Sequence, residues 1–461
     1  MKRTKHDNPL RKTLRISITE GIFSQLYGTL AATGNSLITK LLILLNATPL
    51  HFSLMTAIGQ MSQVFQPVGV AVMHNLSKRR RICIQITAVG RFLTFFTGAA
   101  ILFANPHHGI WFVLCLLFVS AALTSIGGNI WIAWISDMVP SGFRGRFFSK
   151  RNQILLLAGL LAGYLVSFSV DLFDPRPKGL QQAFLNLTQL QNLFRPAWQS
   201  TYLMWIFVVG TMIGLIGLSI LSRQPEKTVV PNPEPLWRKY RKPLKDKNFR
   251  RLLLFGIWWM LAIGIGSAFW GPFMLKKLQM SLFEMQLYGS LHIMSSLVAY
   301  RFWGRFIDKH GNKTAMYICL LLGGLNPMFW LFMTAQQHLV IWVEALISGF
   351  MWAGAGIVGT NFVLSIASKG EEQVYSGLYG AFGGLSMMLT TLLSGALFPK
   401  ELTLHGLHLE PEQVIFGIGG LARWSTLIPL SFVIEHKAKS LRSLGLLLWQ
   451  TIVNKSSNPK D

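Results

Sequence analysis

Apolar residues in this chain do not alternate with polar ones; they come in long runs separated by short polar breaks. The runs fall near 17–45, 52–73, 82–104, 109–138, 153–171 and 202–222, then near 251–275, 285–303, 314–335, 339–365, 376–398 and 413–434. About 20 apolar residues in a helix rising 1.5 Å per residue cross the hydrocarbon core of a bilayer. Every backbone amide must be bonded internally there, so helices are the expected form. The pattern predicts an all-α polytopic membrane protein of about twelve transmembrane helices, the longer ones tilted or extending into the headgroups. The stretch 223–250 is of another kind. Arg223-Gln-Pro-Glu-Lys227, Pro231-Asn-Pro-Glu-Pro235 and Arg238-Lys-Tyr-Arg-Lys242 make it a solvated linker. The expected organisation is a six-helix bundle over 1–222, a cytoplasmic linker over 223–250, a second bundle over 251–436 and a cytoplasmic tail over 437–461. Helical apolar spacing over 183–194 predicts a short amphipathic helix on the outer surface. The run 440–453, too short to cross and flanked by basic residues, predicts a membrane-surface helix in the tail.

Composition sharpens this. Of 461 residues, 51% are hydrophobic and 13% charged, against about 25% charged in soluble domains. A soluble fold is excluded, because its surface would be largely apolar. The net charge is +25, and its distribution sets an orientation. Of 43 Lys and Arg, 34 fall in the N-terminus, alternate connections and C-terminus on one side, 6 in connections on the other, and 3 within spans. The positive-inside rule then places both termini in the cytoplasm, as an even number of spans also requires. Cys83, Cys115 and Cys319 are scattered in apolar runs with no disulfide or metal spacing. The basic N-terminus lacks a small-residue cleavage site, so no removable signal peptide is expected. There is no nucleotide-binding Gly-rich loop, metal cluster or nucleophile–base constellation. An enzyme, a cofactor, a metal and a nucleic-acid partner are therefore not expected.

The two halves repeat at an offset near 233. Leu45-Asn-Ala-Thr48 precedes span 2 as Leu278-Gln-Met-Ser281 precedes span 8. Gly69 stands nine residues before Lys78 as Gly304 does before Lys313, and Gly128-Asn129 in span 4 answers Gly359-Thr-Asn361 in span 10. Tandem six-helix halves are one way for a transporter to obtain two packings around a central cavity.

Between spans 8 and 9 lies Gly304-Arg-Phe-Ile-Asp308-Lys309-His-Gly311-Asn-Lys313. It resembles the signature loop of the major facilitator superfamily, Gly-x-x-x-Asp-[Arg/Lys]-x-Gly-x-[Arg/Lys], at every specified position. The resemblance implies that fold and a latch made when the protein faces outward and broken when it faces inward. Gly304 is expected to permit close helix contact, Asp308 to bond a neighbouring helix end, Gly311 to allow a tight turn, and Lys309 and Lys313 to hold it at the cytoplasmic face. The corresponding N-terminal loop has Met73 and Leu76 where Asp and Gly belong, so its basic run Lys78–Arg81 is expected only to meet anionic headgroups. Span 4 lacks the Arg, and span 5 the Gly-Pro pair, frequent in the superfamily's drug–proton antiporters.

Polar groups within spans are costly unless they face a cavity or a partner. By the family's packing, spans 1, 4, 7 and 10 line the cavity, with 2, 5, 8 and 11 beside them. This makes Gln25, Asn35, Asn129, Glu344 and Asn361 candidates for solute contact, with Gln60 and Gln63, which share a helix face, and His292. Interhelical bonding is the competing role for each of them. His292, whose imidazole titrates near neutrality when unperturbed, and Glu344 are the candidate proton carriers if transport is coupled. Arg91 and Arg423 lie deep enough to need anionic partners, Lys40 is expected to reach the outer interface, and Glu20 lies near a span end as an interfacial charge. The resemblance as a whole implies a permease of the bacterial cytoplasmic (inner) membrane, monomeric, moving a small organic solute by alternating access, similar to the sugar-transporter-like branch. A drug or metabolite efflux antiporter and a non-transporting receptor or scaffold are the alternatives. The expected partners are that solute, a proton where transport is coupled, and the lipid bilayer.

Overall fold

The computed structural model describes residues 9–65, 68, 77–228, 240–337, 339–367, 372–404 and 407–435. Every predicted run contains helix. Seven helical stretches among the described residues are long and apolar enough to cross a membrane: Arg80–Leu102, Pro106–Ser136, Arg146–Asp171, Pro196–Leu221, Asn312–Phe332, Val340–Ile366 and Pro411–Phe432. The predicted surface helix at 440–453 and residues 69–76 of the N-terminal loop lie outside the described residues.

The first run is not one helix. It divides into α1 (Pro9–Leu30) and α2 (Ser36–Leu44) at Gly34, whose φ of +87° suits glycine. Asn35 closes the break as N-cap, accepting from Ile38 N at 2.9 Å and donating to Thr29 O at 3.2 Å. Then come α3 (Pro49–Val64), α4 (Arg80–Leu93, continued by a tighter turn to Leu102), α5 (Pro106–Met138) and α6 (Ser141–Asp171). The short helix α7 (Gly179–Thr188) starts earlier than the predicted 183–194. It buries Gln181 and Leu185, so it is anchored by packing. Next are α8 (Gln199–Leu221), α9 (Lys247–Gly264), α10 (Trp270–Lys276), α11 (Leu282–His310), α12 (Asn312–Phe329), α13 (Val340–Ile366) and α14 (Glu372–Ala396). A hairpin, β1 (Leu402–Leu404) with β2 (Leu407–Leu409), pairs Thr403 with His408. The chain continues as α15 (Pro411–Ser425) and α16 (Leu427–Phe432). Caps mark several starts: Asn105 before Pro106, Asp246 accepting from Asn248 and Phe249, and a reciprocal Glu410–Gln413 box around Pro411.

The contacts divide the chain into two compact units. The first comprises Met1–Leu236 with Gly266–Leu287 and Gly384–Phe398. There α1 packs on α8 and α6, and α4 packs on α5. Its core joins Ile38, Leu41, Val113, Leu117, Leu203 and Phe207 to Leu282 at the start of α11. The second comprises Trp237–Ile265, Tyr288–Gly383 and Pro399–Asp461. In it α12 packs on α13 and α15, and α9 packs on α15. Trp303, Trp330, Phe255, Phe362 and Phe416 are fully buried there. Leucines stand exposed in rows: Leu157, Leu161 and Leu165 on α6, and Leu385, Leu389 and Leu393 on α14. A four-residue spacing puts each row on one helix face, the arrangement hydrocarbon contact requires.

The repeat is visible in the backbone. Asn46 (φ 59°) and Gln279 (φ 52°), 233 residues apart, both take the left-handed conformation just before a helix. In the first unit Glu226, beyond the sixth predicted span, accepts from the amides of Arg79 and Arg80. In the second, Glu435, beyond the twelfth, accepts from the amides of Asn312 and Lys313 at 2.9 and 2.6 Å. Each carboxylate thus closes the start of a helix, where first-turn donors lack partners.

Candidate functional site

The polar groups of the first unit centre on Glu20, 4% exposed on α1 and so buried instead of interfacial. Its two oxygens face two guanidiniums: Arg91 Nη2 of α4 at 3.6 Å and Arg151 Nη2 of α6 at 3.7 Å. Ser24, one turn on, donates to the Glu20 carboxylate and accepts from Arg91 at 2.6 Å. One carboxylate between two cations leaves a surplus positive charge. Backbone carbonyls and aromatic faces absorb it: Arg91 donates to Gly214 O at 2.6 Å and Arg151 to Ser17 O at 3.1 Å. The guanidinium carbons stand 5.1 Å from the Tyr27 ring and 4.6 Å from the Trp131 ring. The apolar pattern leaves Arg91 needing an anionic partner and places Arg151 in the inner connection before the fifth span. In fact α6 begins at Ser141 and carries Arg151 into the protein. Glu20, Ser24 and Tyr27 share a helix face, a spacing that points to the cluster.

The neutral candidates are differently placed. Gln25 is partly buried beside Gly159 of α6, where a Cβ would come 2.5 Å from its Nε2. Asn35 spends both amide ends on the cap described above. Gln60 is partly buried on α3, and Gln63, three residues on, has its side chain outside the description. Asn129 is partly buried on α5, and its Nδ2 is buried with no hydrogen-bond partner among the described residues. Lys40, expected at the interface, pairs with Asp174 at 2.6 Å.

In the second unit Glu344 is 1% exposed on α13. Tyr288 of α11 donates to its Oε2 at 2.7 Å, and Asn326 of α12 donates to Oε1. Arg423 of α15 interacts with it electrostatically and donates to Gly323 O at 3.1 Å. Tyr288 and Asn326 escaped sequence reading, because nothing local marks a partner 56 or 18 residues away. His292 sits one turn beyond Tyr288, half-buried, its imidazole bonded to no described residue. Gly349 of α13 lies against the His292 backbone carbonyl, so α11 and α13 touch there. Asn361 lies about five turns along α13 from Glu344, partly buried and bonded to no described residue.

The signature loop departs from expectation in its details. Helix α11 runs through Asp308 and Lys309 to His310, and only Gly311 (φ +86°) turns the chain. A Cβ on Gly304 would meet no described atom within 4 Å, so among the described residues that glycine serves no close helix approach. Asp308 is exposed and bonds no described residue. Lys309 is exposed. Lys313 meets the end of α16: its Nζ donates to Ser431 O at 2.7 Å in the last turn and to Val433 O at 2.8 Å just beyond it.

No curated protein sequence matches the chain. Among solved structures, a point mutant of the nucleoside transporter NupG superposes with a TM-score of 0.67 at 14% identity, over 92% of this chain and 100% of that one. The xylose transporter XylE from E. coli, inward open, gives 0.64 at 13%, over 94% and 99%. A POT family transporter in complex with 5-aminolevulinic acid gives 0.63 at 12%, over 91% and 96%. At such identities these likenesses establish the fold alone. The family model of the Major Facilitator Superfamily matches residues 21–391. The chain therefore belongs to the Major Facilitator Superfamily, a multi-pass membrane protein that carries a solute.

Proposed function

We propose that this carrier moves a small, neutral or zwitterionic, hydrogen-bonding solute across a bacterial cytoplasmic membrane by alternating access. The carrying observation is how polarity is distributed within the spans. The ionic groups Glu20, Arg91, Arg151, Glu344 and Arg423 are buried and engaged with one another or with protein dipoles. The partly accessible groups are amides and an imidazole: Gln25, Gln60, Asn129, His292 and Asn361. Asn129 in particular holds a buried donor that finds no acceptor among the described residues, and such a donor calls for water or a ligand. Gln63 belongs to this set by its place on α3, whereas Asn35, committed to its cap, contributes backbone shape. Similar structures include those of a nucleoside transporter and a D-xylose–proton symporter, which favours polyhydroxylated solutes over cationic ones.

The 34 basic residues on one side against 6 on the other support cytoplasmic termini, with six-helix halves over 1–222 and 251–436, the linker between them and the tail at 437–461 inside. Gly304, Asp308, Lys309, Gly311 and Lys313 form the gating loop on that inner side. His292 and Glu344, joined through one turn of α11 and the Tyr288 hydroxyl, are the proton-coupling pair, and the carrier works as a monomer.

Counterflow in proteoliposomes tests the reading. A panel of pentoses, hexoses, nucleosides, amino acids and cationic dyes is expected to give label accumulation with a polyhydroxylated or zwitterionic member. Asn129→Leu is expected to abolish it while the protein stays folded. Accumulation of the cationic dyes alone sinks the proposal, and accumulation with none of the panel sinks the carrier.

A further inference from the structure

The carboxylate of Asp171, at the last residue of α6, is 2% exposed, yet its bonds are almost all made to a distant stretch of chain. Its Oδ1 accepts from Leu282 N at 3.0 Å and its Oδ2 from Phe283 N at 2.7 Å. From its own half it has only Gln181 Nε2, at 3.5 Å. The two amides open α11. That helix already carries a local capping box: Ser281 N donates to Glu284 Oε2 at 2.8 Å, and Glu284 N to Ser281 Oγ at 3.1 Å. The box leaves the amides of Leu282 and Phe283 over, and Asp171 takes both. A negative charge at this helix end also suits the helix dipole.

The grip is part of a longer contact. Phe283 packs on Tyr164 and Phe168 of α6, with ring centroids 5.4 and 6.1 Å away. Gln286 lies against Gly163, where a Cβ would be 2.7 Å from its Oε1. Gly163, Tyr164, Phe168 and Asp171 therefore form one α6 face against the first turns of α11, all within the first compact unit. Asp174 is not available for the same task, since Lys40 and Gln199 each hold it at 2.6 Å. This end of α6 is the end away from the basic loops. It is the outer end in the orientation proposed above, and there α6 and α11 are in contact.

We propose that Asp171 is a gating residue of the transport cycle. Its carboxylate holds the first turn of α11 while the outer side is closed, and it must let go for the carrier to open outward. The inference rests on the alternating-access reading above. Withdrawal of α11 takes two of the three described partners from the carboxylate and returns two helix amides to water, so the contact biases the carrier toward its outward-closed form.

The test uses the full chain in proteoliposomes, with the three native cysteines replaced and Gln286→Cys as a reporter for a membrane-impermeant maleimide added outside. Asp171→Asn keeps one acceptor oxygen, loses the charge and turns an N–H toward the second amide. It is expected to raise the labelling rate about ten- to a hundredfold, the factor a hydrogen bond to a charged group represents. Asp171→Glu should restore much of the protection. Labelling at Asn186→Cys, on exposed α7, should not change. Leu282→Pro removes one amide donor at a helix position that accepts proline. Combined with Asp171→Asn it should add less than the product of the two effects, so the donor side serves as a test if the Asn variant does not fold. Unchanged Gln286→Cys labelling in a folded Asp171→Asn protein overturns the proposal. If counterflow is present in that case, only the gate is lost. If counterflow is absent from the unaltered protein too, the carrier reading itself fails.

Discussion

Two buried glutamates in this protein are accommodated in opposite ways. Glu20, in the first unit, faces two guanidiniums, and serine and backbone carbonyls fill in around it. Glu344, in the second, accepts from a phenol and an amide, with the Trp330 indole and Arg423 as further polar neighbours. The first site is an ion network bracing α1, α4 and α6. Removing Glu20 strands two buried cations. The second is a hydrogen-bonded carboxyl of α13, and one turn of α11 beyond its Tyr288 donor sits the His292 imidazole, bonded to no described residue. Among the described residues, only the second combines a carboxyl with a nearby titratable group that has no other side-chain bond. That is why proton coupling is assigned there and bracing to the first.

The contrast is broken most forcefully at Glu20. Glu20→Gln strands two buried cations, and the expected loss is about 3–5 kcal/mol of stability, the cost of dismantling a buried ion pair. Thermal unfolding in detergent measures it, and a loss below about 1 kcal/mol would put the cluster in solvent. Tyr288→Phe deletes one hydrogen bond to a carboxyl, for an expected cost of about 1.5–3 kcal/mol in the same assay. It should also slow proton-linked uptake more than counterflow. The smallest structural effect belongs to His292→Ala, expected within about 0.5 kcal/mol because no described bond is lost. In combination with Glu344→Gln, however, it should abolish solute-driven proton uptake while counterflow persists. Proton uptake that survives in the double variant would return both glutamates to a purely structural role.

Much of the architecture was legible because it depends on local pattern. Long apolar runs predict helices wherever they lie, and Gly311 predicts a turn whichever partner it meets. What was misjudged depends on contacts across the chain. Glu20 and Arg151 stand at the edges of apolar runs, where a charge looks interfacial until the helix is known to continue past it. Asp171 ends a run and looks like the first residue of a loop, since the amides it serves lie 111 and 112 residues away. Asp308 matches its motif by position, and it bonds no described residue. Asn35 was read as a solute contact because an amide in an apolar run is conspicuous. The run was in fact interrupted there, and Gly34 beside it was the available sign.

The clasps formed by Glu226 and Glu435 bear on how the polypeptide can be divided. Each carboxylate lies on the same side of residues 229–239 as the amides it receives. Two separately translated fragments meeting within that segment would each retain an intact clasp, and their co-expression is a natural route to a split carrier. A break placed at residue 223 would instead hand Glu226 to the wrong fragment and leave the amides at Arg79 and Arg80 unserved.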